Sequence, residues 1–394
     1  MSEFQRDFMR TNLAKLPHLP PLHPNSQSVQ NDGHPQEDLT EIDDDLPELG
    51  TRARSNRSHR RPPNRPPSEF PSAVPSYFAQ SFSVDPPPSS DVSSAWSAPS
   101  FKTYYTPPEP ASDEGPGSIM IFHHGGGEGA LGFAVLAKEI TRLTRGELGL
   151  LAFDCRGHGS TANPDKDQAV LDLSLNTLTA DFLVFIRTMF PNPKKTPALV
   201  LIGHSMGAAP VLGVTPTLQT IGYKVAGVGV LDVVEGSALE ALPLMPAIIL
   251  SRPSSFASVD EAIDWHLGSN TYRSPTSARL SVPSIVQPTK SEQRVIWRTS
   301  LLDSAPYWHD WYKGLSAKFL AVRSARLLVL AGSDRIDKEL MIGQMQGKFQ
   351  HVVLPNVGHH IQQDDPERLA EVLVDFWRRN EGVNLKGIKK VGET

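Results

Sequence analysis

The chain has 394 residues, of which 39% are hydrophobic, and this is enough to bury a large core in one or two domains. Its formal net charge of −5 favours neither nucleic acid nor an acidic membrane as a partner, and its one cysteine excludes an internal disulfide framework. The amino terminus lacks the apolar stretch of a signal peptide, and no run approaches the roughly 18 apolar residues of a membrane span. We therefore expect a soluble protein of the cytoplasm, the nucleus or both.

The first seventy residues differ in composition from the rest of the chain. Proline recurs throughout them, an acidic segment occupies 37–48, and a basic segment occupies 52–61. Segments of low hydrophobicity with blocks of like charge cannot bury enough surface to offset the entropy of ordering. We predict a disordered tail over 1–70 and a folded domain over 71–394. The basic segment fits a nuclear localisation signal, but a solvated tail is the favoured interpretation.

Short apolar runs rich in valine, isoleucine and leucine follow one another along the folded domain. They are SIMIF at 118–122, GLLAF at 149–153, ALVLI at 198–202, VAGVGVL at 225–231, ARLLVLA at 325–331 and HVVLP at 351–355. Because the runs do not alternate with polar residues, they indicate parallel strands buried on both faces. Segments with helical spacing lie between them, such as 131–143 and 175–190. The alternation predicts an α/β fold with a doubly wound, mostly parallel sheet, whose sites form at the carboxyl ends of the strands.

A glycine-rich loop follows the first of these strands. HHGGG at 123–127 resembles the HGGG loop that supplies an oxyanion-hole donor in lipases and esterases, which makes the backbone N–H of Gly126 a candidate donor. A phosphate-cradling loop is the alternative, but no lysine follows at P-loop spacing and no G-x-G-x-x-G pattern is present. At the end of the next strand, we interpret Asp154 and Arg156 as residues that order a loop rather than as catalytic groups.

A candidate nucleophile follows the third apolar run. GHSMG at 203–207 matches G-x-S-x-G between a predicted strand and a helix-like stretch, which is the setting of a nucleophile elbow. In that setting Ser205 is the nucleophile and the backbone N–H of Met206 is a second oxyanion donor; a plain tight turn is the alternative. Two prolines follow, and we expect the second, Pro216, to end or kink the helix early.

Two aspartates at strand ends are candidates for the acid that orients a catalytic base. Asp232 follows the strand at 225–231, and Asp334 follows the strand at 325–331. On fold grounds alone, the later strand is the commoner location of the acid, which favours Asp334. The stretch of about 236–320 between these strands is far longer than the roughly 2–6 residues of an ordinary connection, and we interpret it as a cap over the carboxyl edge of the sheet.

The last strand precedes the candidate base. A serine needs a base to act as a nucleophile near neutral pH, and in this type of fold the order along the chain is serine, acid, histidine. His359 lies in LPNVGHHIQQDDPERL, just past the strand, and its neighbour His360 competes for the role. The loop that precedes a helix near residue 365 favours His359.

Several longer stretches carry a more specific resemblance. GHSMG, LDVVEG at 231–236, SARLSV at 277–282, YWHDWYKGLS at 307–316 and above all LAGSDRIDKELMIGQMQGKFQHVVLPNVGHH at 330–360 resemble the protein phosphatase methylesterase family of α/β hydrolases. The resemblance covers about 100–385, and PSYFAQSF at 75–82 is similar to the segment that precedes the family's domain. It implies an α/β-hydrolase fold, a cap that helps to dock a phosphatase, and a triad of Ser205, Asp232 and His359.

The resemblance also implies a reaction. The family removes the methyl ester from the carboxy-terminal leucine of the catalytic subunit of type 2A protein phosphatases, with no metal and no organic cofactor. The expected partner is therefore that subunit, and neither nucleic acid nor a membrane. A general carboxylesterase of the same fold and a non-catalytic phosphatase-binding protein are the alternatives; turnover of short esters and labelling of Ser205 by fluorophosphonates distinguish them.

Overall fold

The computed structural model describes most of the folded domain. The described residues are 74–87, 97–109, 115–162, 171–289, 294–332 and 336–381. The disordered tail predicted over 1–70 lies outside these ranges.

The described residues contain one large sheet and one small one. The strands are β1 (Gln80–Val84), β2 (Phe101–Thr106), β3 (Ser118–His123), β4 (Leu148–Phe153), β5 (Ala198–His204), β6 (Val225–Leu231), β7 (Ser255–Phe256), β8 (Val286–Pro288), β9 (Val295–Trp297), β10 (Ala325–Ala331) and β11 (Gln350–Leu354). In the part of the chain that the structure describes, the large sheet has eight strands in the order β1-β2-β4-β3-β5-β6-β10-β11. All pairs from β4 to β11 in this order are parallel, whereas β1–β2 and β2–β4 are antiparallel.

Helices follow most of the strands. They are α1 (Ala134–Thr144), α2 (Leu175–Met189), α3 (Ala208–Ile221), α4 (Glu235–Ala241), α5 (Met245–Leu250), α6 (Val259–Gly268), α7 (Pro275–Ile285), α8 (Trp308–Tyr312), α9 (Leu315–Ala321), α10 (Lys338–Met345), α11 (Ile361–Asp364) and α12 (Pro366–Asn380). Their starts follow local chemistry: the Ser174 hydroxyl, for example, accepts a hydrogen bond from the Thr177 N–H (3.3 Å) and caps α2. None of the described helices is both long and apolar enough to cross a bilayer.

The large sheet has a buried core on each face. Successive side chains of a strand point to opposite faces, and in β3 Ile119 and Ile121 pack with α2 and α3 while Met120 and Phe122 pack with α1 and α12. Every residue of β3, β4 and β5 is buried, as the continuous apolar runs require. The prediction of a doubly wound, mostly parallel α/β sheet is therefore confirmed.

Two features differ from the sequence expectations. Strands β1 and β2 were not predicted, because β1 is largely exposed and FKTYYT in β2 carries polar side chains, so neither strand forms a continuous apolar run. The expectation that Pro216 ends α3 early is wrong, since the helix continues to Ile221. Proline removes one backbone donor, but Val211, Val214 and Leu218 of this helix are buried, so tertiary packing outweighs the loss.

The segment between β6 and β10 forms its own substructure. It contains α4 to α9 and, among the described residues, a three-stranded sheet in the order β7-β9-β8. Phe256, Ile263, Tyr272 and Val295 belong to a core separate from the two that flank the large sheet. The predicted cap over 236–320 falls on this segment.

Candidate active site

The turn at Ser205 has the geometry that its sequence pattern suggests. Ser205 follows the last residue of β5, begins a single helical turn before α3, and has a φ of +49°. A Cβ placed on Gly203 would lie 2.5 Å from the Gly207 carbonyl oxygen, and one on Gly207 would lie 2.3 Å from the His123 carbonyl oxygen. Both glycines are therefore required by close backbone approach, and the serine is held on a strained turn at the carboxyl end of a central strand.

His359 and Asp232 are hydrogen-bonded to each other at the same edge of the sheet. The distance from His359 Nδ1 to Asp232 Oδ2 is 2.8 Å, and Asp232 Oδ1 accepts a hydrogen bond from the Ala331 N–H at 2.6 Å. Because a carboxylate only accepts, the Nδ1 of His359 carries a proton, and the neutral form of this ring presents the lone pair of Nε2. The Asp232 side chain is 8% exposed and that of His359 is 50% exposed, so the acid is enclosed while the imidazole remains open to a substrate.

The structure separates the two competing histidines. His360 directs its Nδ1 to a carboxylate oxygen of Glu128, not to Asp232. The imidazole ring of His359 lies beside the elbow, because its centroid is 4.8 Å from that of His204, the residue before Ser205. Asp334, the other candidate acid, lies outside the described residues.

The HHGGG loop packs against the elbow. A Cβ on Gly125 would lie 3.2 Å from Ser205 Cβ, and one on Gly126 would lie 3.7 Å from Met206 Sδ. The N–H of Gly127 donates to His158 Nε2 (2.9 Å) and that of Gly125 faces Glu128 Oε2 (3.4 Å). The described residues offer no acceptor to the N–H of Gly126. This amide is therefore available to a ligand beside Ser205.

Asp154 and Arg156 hold loops around the site, as the sequence interpretation expects. Asp154 accepts hydrogen bonds from the N–H groups of Ala130 (2.7 Å) and Ser160 (2.8 Å), and burial raises the pKa of its carboxyl to about 6. Arg156 is 2% exposed and forms a two-pronged ion pair with Asp181 at 2.8 and 2.7 Å. Neither side chain is directed to the Asp232–His359 pair.

Two further groups near the nucleophile were not found from the sequence. The hydroxyl of Tyr312, from α8, lies near Ser205; burial raises the pKa of this hydroxyl, and the interaction with Ser205 opposes the rise. Glu128 lies behind the elbow with His204 and His360, and these three groups have the composition of a metal site, since their candidate ligand atoms lie within 4.8 Å of one another. Neither residue lies in a distinctive sequence pattern, because one is an aromatic residue in a cap and the other is a single glutamate after a glycine loop. They can therefore be identified only from the fold.

Known proteins resemble this chain over most of its length. Residues 120–372 match the model of the alpha/beta hydrolase family. A protein phosphatase methylesterase 1 from Cryptococcus neoformans var. neoformans is 44% identical over 402 residues, which cover 95% of this chain and 92% of that protein. A protein of the same name from Aspergillus fumigatus is 39% identical over 392 residues, 97% of this chain and 90% of its own.

Solved structures share the fold at much lower identity. A peroxisomal alpha-beta-hydrolase of Saccharomyces cerevisiae has a TM-score of 0.56 at 15% identity and covers 80% of this chain and 91% of its own. E-2-(acetamidomethylene)succinate hydrolase has a TM-score of 0.55 at 20% identity, covering 71% of this chain and 96% of its own. At this level of identity, the likeness establishes the architecture alone.

Proposed function

Because this chain belongs to the protein phosphatase methylesterase family of α/β hydrolases, we propose that it hydrolyses the methyl ester on the carboxy-terminal leucine of the catalytic subunit of type 2A protein phosphatases. The chain is a carboxylic ester hydrolase by its family and fold. The observation that carries the proposal is the match to relatives of this name along nearly the whole chain, which includes the stretch over 330–360 that α/β hydrolases in general do not share. The geometry of the candidate site is consistent with this chemistry.

The first half of the reaction forms an acyl-enzyme. His359 Nε2 takes the proton of the Ser205 hydroxyl as Oγ attacks the ester carbonyl, while Asp232 stabilises the imidazolium through its 2.8 Å hydrogen bond to Nδ1. The tetrahedral oxyanion receives hydrogen bonds from the N–H groups of Gly126 and Met206; loss of one such donor typically costs about 10²–10³ in rate. The C–O bond to the methoxy group breaks, and His359 returns the proton so that methanol leaves.

The second half regenerates the enzyme. Water enters where methanol left, His359 removes a proton from it, and the resulting hydroxide attacks the acyl carbonyl. The Ser205 oxygen leaves with the proton from His359, and the product is the free carboxylate. The sum is ester plus water giving acid plus methanol, and every proton transfer uses these groups. The mechanism therefore calls for neither a metal ion nor an organic cofactor.

Incubation with methylated phosphatase tests the proposal. Wild-type protein should remove the methyl ester and release methanol, and Ser205→Ala should not. Ser83→Ala is a matched control, because Ser83 is exposed on edge strand β1 at the far side of the sheet and should retain full activity. A wild-type protein that hydrolyses short p-nitrophenyl esters but leaves the phosphatase methylated would contradict the substrate and support a general carboxylesterase.

A further inference from the structure

Glu128 lies at a junction of the three segments that form the candidate active site. It follows the HHGGG loop directly, and its side chain is 5% exposed. Its Oε2 accepts hydrogen bonds from His204 Nδ1 (3.2 Å) and Gln362 Nε2 (3.3 Å), and Oε1 contacts His360 Nδ1. His204 belongs to the elbow, whereas His360 and Gln362 closely follow His359 in the chain. One buried carboxylate therefore connects the oxyanion loop, the nucleophile turn and the base loop.

The hydrogen bonds of His204 fix its protonation state. Its Nδ1 faces Glu128 Oε2 at 3.2 Å, and its Nε2 lies 2.8 Å from the backbone carbonyl oxygen of His359. A carbonyl oxygen only accepts, and so does a carboxylate on which several donors converge. A neutral imidazole has a single N–H and would leave one of these contacts unmade in a site where His204 is completely buried. Only the imidazolium, with two N–H groups, satisfies both partners.

Electrostatics agree with this assignment. Burial alone would lower the pKa of His204, but the charge and hydrogen bond of Glu128 outweigh it and raise that pKa above its usual value. Burial would likewise raise the pKa of Glu128, yet His204 and His360 hold it well below its usual range. For His360, burial outweighs the charge and hydrogen bond of Glu128 and lowers the pKa of the imidazole. The other titratable and charged groups that interact with this cluster are Asp232, His359, His124, His158, His266, Tyr272 and Arg252.

We propose that Glu128 and His204 are positioning residues for the base, because the His204 Nε2–H holds the backbone carbonyl of His359 in place. The Nδ1 hydrogen bond to Asp232 fixes the ring of His359 from one side only. The bond to its carbonyl anchors the same residue through its backbone to the turn that carries Ser205. Ser205 and His359 are thereby held in a fixed relative position before a substrate binds.

Two variants of His204 distinguish a positioning role from simple packing of the side chain. Asparagine places its amide near the Nδ1 position and keeps a partner for Glu128, whereas glutamine reaches the Nε2 position and keeps the bond to the His359 carbonyl. Both are neutral, so the loss of charge is the same. On a short p-nitrophenyl ester, we expect His204→Asn to lower kcat at least about tenfold, because small misplacements of a catalytic group are costly. His204→Gln should lose only about threefold, which is within the effect of one imperfect hydrogen bond.

KM and a control variant complete the kinetic test. KM should change less than about twofold in both His204 variants, since substrate contacts are untouched. His351→Gln, on β11, replaces a histidine that contacts Gln344 and lies outside the cluster, and it should behave as wild type. Equal kcat values for His204→Asn and His204→Gln, with both folded by circular dichroism, would overturn the proposal.

Wild-type protein supplies a test that needs neither variant to fold. Nitrogen-15 spectra of protein labelled at histidine should show one imidazole whose two ring N–H groups are both protected from solvent exchange. Absence of such a ring overturns the proposal, as does stoichiometric zinc in the purified protein, because a metal would replace the proton on Nδ1. The kinetic role rests on the proposed esterase chemistry. Failure to demethylate a phosphatase, with turnover of the short ester intact, would refute only the proposed substrate.

Discussion

Replacement of Asp232 by asparagine is the sharpest test of the candidate triad. The substitution keeps the size of the side chain but turns one oxygen into a donor. In the wild-type protein, Oδ1 accepts from the Ala331 N–H at 2.6 Å and Oδ2 accepts from His359 Nδ1 at 2.8 Å. An amide has a single oxygen, so Asn at this position can serve only one of these two donors.

The two orientations of the asparagine amide have different consequences. If the amide oxygen faces His359, the NH₂ group meets the Ala331 N–H, and unsatisfied buried donors cost about 1–3 kcal/mol each. If the oxygen faces Ala331, the NH₂ group donates to His359 Nδ1 and drives the ring proton onto Nε2. That tautomer cannot accept the serine proton. In a serine protease, the same change lowers turnover about 10⁴-fold, which corresponds to about 5.5 kcal/mol in the activation barrier.

Steady-state kinetics on a short ester and on methylated phosphatase measure the effect. We expect kcat of Asp232→Asn to fall by three to four orders of magnitude and KM to change about threefold at most, because the acid does not touch the substrate. Thermal unfolding checks that the variant is folded. Asp334→Asn is the comparison, since Asp334 is the other aspartate at a strand end, and it should cost far less. If Asp334→Asn lowered kcat by orders of magnitude and Asp232→Asn lowered it only slightly, the assignment of Asp232 as the acid would be refuted.

Three further predictions address binding, the tail and stability. Ser205→Ala should abolish demethylation yet bind the phosphatase with a Kd near that of wild type, because one hydroxyl carries the chemistry while docking uses a broad surface; parallel loss of binding in a folded variant, by titration calorimetry, would contradict this. Removal of residues 1–70 should leave turnover of a short ester near wild type, given their proline-rich, charge-blocked composition; an unfolded or inactive truncation would show the tail to be part of the fold. Asp181→Asn leaves the charge of Arg156 buried without its carboxylate partner and should lower the free energy of unfolding by about 3–5 kcal/mol in urea titration, whereas a change below about 1 kcal/mol would mean that the pair contributes little.

The central strands could be predicted from the sequence because burial on both faces leaves a continuous apolar run. The runs at 225–231 and 325–331 coincide with β6 and β10 residue by residue, and those at 118–122, 149–153, 198–202 and 351–355 differ from their strands by one or two residues at an end. Edge strand β1 has one buried residue in its stretch, so it lacks that signal. Local sequence rules also failed to predict that α3 continues past Pro216, because tertiary packing stabilises the helix at this point.

Some residues of the candidate site could be predicted from short sequence patterns, and others could not. Ser205, Gly126 and His359 lie in short patterns whose chemistry restricts the residue types, and the sequence brings them to notice directly. Fold grounds alone favoured Asp334 over Asp232; the family resemblance favoured Asp232, and the structure describes the contact of Asp232 with His359. Glu128 carries no pattern at all. Its importance comes from hydrogen bonds to His204 and Gln362, which are distant in the chain and meet only in the fold.

The register of the sheet explains why Ser205 and Asp232 lie at neighbouring strand ends although they are far apart in the chain. His204, the last residue of β5, pairs with Leu231, the last residue of β6, so the next residue of each strand leaves the sheet at the same level. Both residues then have positive φ, +49° for Ser205 and +51° for Asp232, a conformation that costs about 1–2 kcal/mol for a residue with a side chain. Strand β10 helps to offset this cost at Asp232, because Val329 accepts its N–H at 2.8 Å and Ala331 donates to its carboxylate. The turns that project these side chains are therefore held by the pairing of the central strands, whose residues are almost all buried.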